Sequence, residues 1–511
     1  MHAIYAAKMK IFSLLQGAGA RVLNPMAGES QYKGSQLIAG GLVLCACLSV
    51  AEAKNVVFFI VDDLRPKLGA YGDPVAVTPA IDSLAKEGSL FNQAYCQYPI
   101  CNPSRTSFLS GLRPDSTAVY GNDQKPEVAL RGVPVLNQYF ASNGFEVLGF
   151  GKIYHSGIGP DGGWTRPYTE SQWLDYVRPE NKAIGDQWFS PNRPKEQRVP
   201  SSWEAEAVAD DAYADGMMAR EAVKSLKELA AQKKPFLMVV GFRHPHLPWC
   251  APKKYWDLYD RESLPLATNR KFPAGAPEVA TNDFGELWSY ADIPAGQPLT
   301  EALERQSLHG YYAGVSYADA QVGKVISALK ELNLFDDTVI VLVADNGYQM
   351  GDNGVWCKGV NWEATNRVPC LLRVPGLGQS GQTINRLVEL VDIYPTVCAA
   401  AGLPIPGHCE GKSLLPLVGN PKAPWTDIAF TQLQRGKVMG RSIRTDRFRF
   451  TLWEQEDGTL VGCELYDQQN DPQGNVNLAG HPDWQDQVRE LTSLHRKQWP
   501  AGRKHSQTGP E

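Results

Sequence analysis

The sequence predicts an α/β fold: a large, mostly parallel sheet flanked by helices, followed by a smaller C-terminal antiparallel subdomain. Three observations predict it. Continuous apolar runs of strand length recur along the chain, and helical patterns fall between them. Near "VGNPKAPWT" (418–426) that alternation gives way to short alternating strands. The 511 residues leave room for one large domain plus an appendage.

The first element is an apolar run, "LIAGGLVLCACLSV" (37–50), with Lys33 upstream and the small-residue pattern of Ala51 and Ala53 behind it. It is short for a membrane span and fits a signal-peptide core, so residues 1–53 are read as a signal. Starting at Met26 would give that signal an ordinary length. A lipidation box modifying Cys47 ranks second, and a retained anchor below it. No Asn-x-Ser/Thr acceptor occurs in the chain, which favours a bacterial periplasm or exterior over a glycosylating organelle.

Residues 54–420 are read as the main domain. "NVVFFIVDD" (55–63), "EVLGFG" (146–151), "FLMVVGF" (236–242), "TVIVLVAD" (338–345) and "CLLRVPG" (370–376) are buried strands. "TPAIDSLAKEG" (78–88), "VPVLNQYFASNG" (133–144), "MMAREAVKSLKELAAQ" (217–232) and "YADAQVGKVISALKELN" (317–333) are helices between them. Loops rich in Pro, Gly, Trp and Tyr at 156–205 and 248–306 are long enough to read as substrate walls. Residues 421–511 form the appendage, with strands "DIAFTQL", "RSIRTDRFRFTLW" and "GCELYD" and a closing helix near 483–498.

Net charge is −5 from 50 basic and 55 acidic residues, well mixed, so nothing points to nucleic acid. The chemistry gathers at strand ends, where ligands of open α/β sheets bind. Asp62 and Asp63 end one strand and Asp345 and Asn346 another, an all-oxygen set suited to Ca²⁺ or Mg²⁺. A single acid pair would read as a loop cap; two in one sheet favour a metal. His244 and His246 follow a third strand.

Cys101 lies in "QYPICNPSRTSFLSGLRP" (97–114), where Pro103 suits a first helical turn and Gly111 its end. That places the cysteine at a helix N-terminus, where an anion is favoured. The alternatives are a buried thiol or a disulfide with Cys96. Cys398 and Cys409 are close enough in sequence to pair, and no Cys-x-x-Cys motif suggests structural zinc.

"CNPSRTSFLSG" resembles the signature of the type I, formylglycine-dependent sulfatases. The resemblance extends through "VDDLRPKLGAYGD", "FLSGLRPDSTAVY", "GKIYH", "RHPHLP" and "ADNGYQMGDNGVWCKGVNWEA", as in the iduronate-2-sulfatase branch. It implies an alkaline-phosphatase-like fold and hydrolysis of O-sulfate esters on a saccharide, with iduronate-2-sulfate-like uronic acids as the nearest class. It also implies that a maturation enzyme converts Cys101 to formylglycine, and that Asp62, Asp63, Asp345, Asn346 and the modified Cys101 hold one Ca²⁺. The iduronate enzymes carry His where this chain has Asn346.

By the same resemblance, Arg105 holds the formylglycine, Lys152 and Lys358 bind the sulfate oxygens, and His155 and His246 move protons. A formylglycine hydrate offers one hydroxyl to attack sulfur and a second whose deprotonation expels sulfate, an exit that serine lacks. His244 stands where that branch often has Lys and reads as a substrate contact. For Trp249, Trp356 and Trp362, packing is favoured over sugar stacking. The rival readings are a phosphate or phosphonate ester hydrolase of the same superfamily, and a glycan-binding protein whose Cys101 is never matured.

Overall fold

The computed structural model describes residues 55–500, apart from 131, 156–158, 161, 171–174, 189, 191–193, 195, 233, 283 and 284. The proposed signal segment lies outside the described residues. Strands β1 (Asn55–Val61), β2 (Ser89–Tyr95), β3 (Glu146–Gly151), β4 (Phe236–Phe242), β5 (Thr338–Ala344), β6 (Arg367–Val368), β7 (Cys370–Arg373) and β8 (Gln382–Glu389) form one sheet. It runs β6, β2, β7, β5, β1, β4, β3, and β8 joins β2 from outside that path.

The apolar runs explain its centre. All seven residues of β1 are buried, as are those of β4 and β5, so both faces of the sheet are covered there. β1 pairs in parallel with β4 and β5, with Val57 opposite Met238 on one side and Ile340 on the other. β3 continues the parallel set beside β4. The run "CLLRVPG" departs from it: β7 is antiparallel to both β5 and β2. Two reversals restore the direction, so β2 points the same way as β5 and delivers its carboxyl end to the same edge.

Helices α1 (Pro79–Glu87), α2 (Cys101–Ser110), α3 (Ala214–Gln232), α4 (Glu301–Glu331) and α5 (Ile393–Ala400) cover the sheet. α4 packs on α1 and α3, while α2 packs on α5. All ten residues of α2 are buried, and the helix stops at Gly111, whose φ of 73° favours glycine.

Strands β9 (Ala429–Arg435), β10 (Val438–Arg444), β11 (Phe448–Gln455) and β12 (Leu460–Asp467) make a separate antiparallel sheet in that order. The stretch expected as the single strand "RSIRTDRFRFTLW" is therefore divided between β10 and β11. Phe448, Phe450, Leu452 and Leu465 of this sheet share a core with Leu491 of the closing helix α6 (Gln485–Gln498). Leu433, Trp453 and Tyr466 pack instead with Tyr98, Val360 and Trp362 of the main domain.

The eight cysteines among the described residues are free thiols, so the expected Cys398–Cys409 disulfide is not formed. Cys398 is buried in α5, while Cys409 is turned toward the end of α2: a Cβ added at Gly111 would lie 2.9 Å from its Sγ. Cys96 does not pair with Cys101 either; its thiol donates to the Thr365 carbonyl at 3.7 Å. Among the described residues no helix is long and apolar enough to cross a membrane.

Candidate active site and cation centre

Four parallel strands and α2 release their polar residues at one edge of the sheet. Asp62 and Asp63 follow β1, Lys152 follows β3, His244 and His246 follow β4, and Asp345 and Asn346 follow β5. β2 leads into α2, which begins at Cys101. Lys358 arrives from a loop behind the two-residue strand Trp356–Cys357. Each of these side chains is buried.

Cys101 Sγ lies 3.5 Å from Asp62 Oδ1 and 3.7 Å from Lys152 Nζ. Burial first, and Asp62 second, push this thiol well above its ordinary pKa despite the nearby lysines. An unmodified Cys101 is thus a poor thiolate.

Arg105, one turn along α2, spans two acids: Nε donates to Asp345 Oδ2 at 2.8 Å and Nη2 to Asp62 Oδ1 at 2.9 Å. Nη1 donates to the carbonyls of Lys152 and Ile153. The guanidinium therefore fixes the walls around residue 101. A planar fork does this; a lysine ammonium would not.

Lys152 pairs with Asp62, and Lys358 Nζ donates to both oxygens of Asp63 at 2.7 and 2.5 Å. Burial opposes the charged form of Asp62, yet Lys152, His246 and Arg105 hold its carboxyl well below the usual range. Asp345 goes the other way. Burial pushes it up to about 6 against the pull of Arg105, because Asp62 and Asp63 are near.

The residues present fit a hard divalent cation. Oxygens of Asp62, Asp63 and Asp345 all lie within 4.8 Å of one another. Asn346 donates through Nδ2 to Asp63 Oδ1 at 2.7 Å, while its buried Oδ1 has no hydrogen-bond partner. Three crowded carboxylates and an orphaned amide oxygen form an all-oxygen donor set without a soft ligand.

Both ring nitrogens of His246 face acceptors. Nδ1 meets the Leu247 carbonyl, and Nε2 lies 3.0 Å from Glu286 Oε1 and 3.7 Å from Asp63 Oδ2. This is the pattern of a proton donor. His155 is half-buried, and its pKa is driven far down, by burial first and then by Lys152, so its imidazole is neutral.

The nine expected site residues other than His155 interlock through these contacts, and His155 senses the charges of Lys152, Asp62, Arg105 and Lys358. Two further residues belong to the neighbourhood and carry no sequence signal of their own. Glu286 joins His246 and approaches Lys358 at 3.5 Å. Asp215 accepts from the backbone N–H of Arg243 and His244 at 2.8 and 2.9 Å and contacts His244 Nδ1 at 2.7 Å. His244 is thus tied into the wall behind His246. Trp249, Trp356 and Trp362 are buried packing residues.

The family profile described as Sulfatase matches residues 54–403, and that of the N-sulphoglucosamine sulphohydrolase C-terminal region matches 351–498. Iduronate 2-sulfatase of Mus musculus is 31% identical over 507 residues, covering 84% of this chain and 91% of that protein. A solved structure bound to its substrate D-glucosamine-2-N,6-O-disulfate superposes with a TM-score of 0.68 at 20% identity, covering 89% of this chain and 99% of the other. The phosphonate monoester hydrolase of Agrobacterium radiobacter does so with a TM-score of 0.69 at 22% identity, covering 87% and 95%. At such identities these two structures speak to the fold alone.

Proposed function

The chain belongs to the sulfatase family of sulfuric ester hydrolases, and we propose that it releases sulfate from O-sulfated saccharides, 2-O-sulfated uronic acids being the nearest substrate class. The observation that carries this reading is the position of Cys101, whose sulfur sits between Asp62 and Lys152 at the first turn of a buried helix.

Asp62, Asp63, Asp345, Asn346 and residue 101 would hold Ca²⁺. When present, formylglycine at position 101 supplies the nucleophilic hydroxyl and Ca²⁺ offsets the sulfate charge. The chain's own residues do the rest. Arg105 orients Asp62 and Asp345, and Lys152 and Lys358 receive the sulfate oxygens as charge develops. His246 donates its Nε2 proton to the departing sugar oxygen, and neutral His155 accepts the proton whose loss releases sulfate. A maturation enzyme that oxidises Cys101 is the required partner, and a periplasmic or extracellular location suits the reading.

The test is sulfate release from a panel of sulfated disaccharides by the wild type, by Cys101→Ala and by chelator-treated enzyme. Release by the wild type alone is expected, and undiminished release by Cys101→Ala would remove the mechanism. The phosphonate hydrolase reading is checked by relative rates on paired aryl sulfate and aryl phosphate esters, with sulfate expected to win.

A further inference from the structure

Glu286 stands apart from the other charged groups of the site. The side chains of Asp62, Asp63, Lys152, His246 and Lys358 are at most 1% exposed, whereas that of Glu286 is 18% exposed. It therefore sits at the solvent side of the cluster, where a substrate arrives. Its Oε1 lies 3.0 Å from His246 Nε2, the atom read above as donor to the departing oxygen. Its Oε2 is buried without a hydrogen-bond partner, with Lys358 Nζ 3.5 Å away. Burial opposes its charge, yet Lys358, His246 and Lys152 hold the carboxylate ionised. A buried carboxylate oxygen left without a donor is costly unless something supplies one.

Building on the sulfatase reading, we infer that Glu286 is a specificity-determining residue whose carboxylate accepts a hydrogen bond from the hydroxyl next to the sulfated carbon of the sugar. When the ester oxygen lies at His246 Nε2, groups on the adjacent carbon fall beside Glu286, and a free hydroxyl supplies the missing donor. A carboxylate or second sulfate ester in that place would meet like charge instead. Sites that bind a substrate hydroxyl through a buried polar group reject analogues lacking it far more sharply than apolar pockets reject a missing methylene.

The probe is a methyl uronoside 2-sulfate with a free 3-hydroxyl, compared with its 3-deoxy counterpart. Wild type should favour the hydroxyl-bearing ester by roughly 10- to 100-fold in kcat/KM, the range of one hydrogen bond to a charged group. Glu286→Ala should bring that ratio close to one, carried mainly by KM, and Glu286→Gln should leave it between the two. A ratio kept in Glu286→Ala while both substrates slow together would overturn the inference, since Glu286 would then only position His246. So would a wild-type ratio near one. A wild type that cleaves neither ester, while releasing sulfate from other members of the disaccharide panel, overturns the inference together with the uronic-acid substrate class beneath it.

Discussion

Asn346 offers a buried amide oxygen with no hydrogen-bond partner beside three buried carboxylates. If that oxygen completes the cation centre, Ca²⁺ binding to the folded chain should raise the melting temperature of chelator-stripped protein. Asn346→Ala should then need on the order of tenfold more Ca²⁺, or beyond, for the same rise. A calcium titration followed by thermal shift checks this. At this scale the acids were legible because Asp62, Asp63 and Asp345 stand at the ends of apolar strands, whereas Lys152 and Lys358 were legible only through the family resemblance. Glu286 was not legible: it sits in a long loop, and only the fold brings it to His246. Asp215 was hidden for a similar reason: it lies just ahead of the helix expected at 217–232, in the first turn of α3, while serving the turn after β4.

Among the elements, β1, β4 and β5 were readable because a strand buried on both faces must be apolar throughout. β2 and β8 were not, since "SLFNQAY" and "QTINRLVE" keep polar residues at partly exposed positions. α4 begins at Glu301 rather than near 317 because Gly310 and Gly314 weaken the helical signal of its first half. Packing explains those glycines. A Cβ at Gly310 would lie 2.8 Å from the Trp249 side chain, and one at Gly314 3.2 Å from Pro245 Cα. α4 is thus cut away to seat the segment that carries His246. Farther along, Asp319 caps α1, accepting from Ile81 N at 2.7 Å and Ala80 N at 3.2 Å. Burial raises its pKa to about 7, above its unfolded value. The native state therefore binds that proton more readily, and the associated stability is present at low pH and lost as pH rises through about 7. Melting temperatures from pH 8 to 5 should rise more in wild type than in Asp319→Asn, which has no proton to gain there.

For the molecule as a whole, the C-terminal sheet supports the loop that bears Lys358. Glu464 of β12 is buried and accepts from Trp362 Nε1 at 3.0 Å, Trp453 Nε1 at 2.6 Å and Tyr466 Oη at 2.6 Å. Asn361 donates to the Gly440 carbonyl at 3.1 Å, and Arg435 to that of Gly359. Glu464→Ala would strand three buried donors, so it should cost about 3 kcal/mol or more. It should also lower kcat/KM by loosening Lys358, with Glu464→Gln milder on both counts; denaturant melts and kinetics check this. The two-part architecture was legible from the change in strand pattern, but this coupling was not, since it lies in contacts between residues far apart in the chain. Sulfate release by the proposed route requires residue 101 to work as an aldehyde. The most direct measurement is the mass of the peptide spanning residue 101 in a preparation that releases sulfate. The expected peptide is one in which oxygen has replaced sulfur and two hydrogens are gone; an intact thiol in every molecule of that active preparation would rule out the aldehyde as nucleophile.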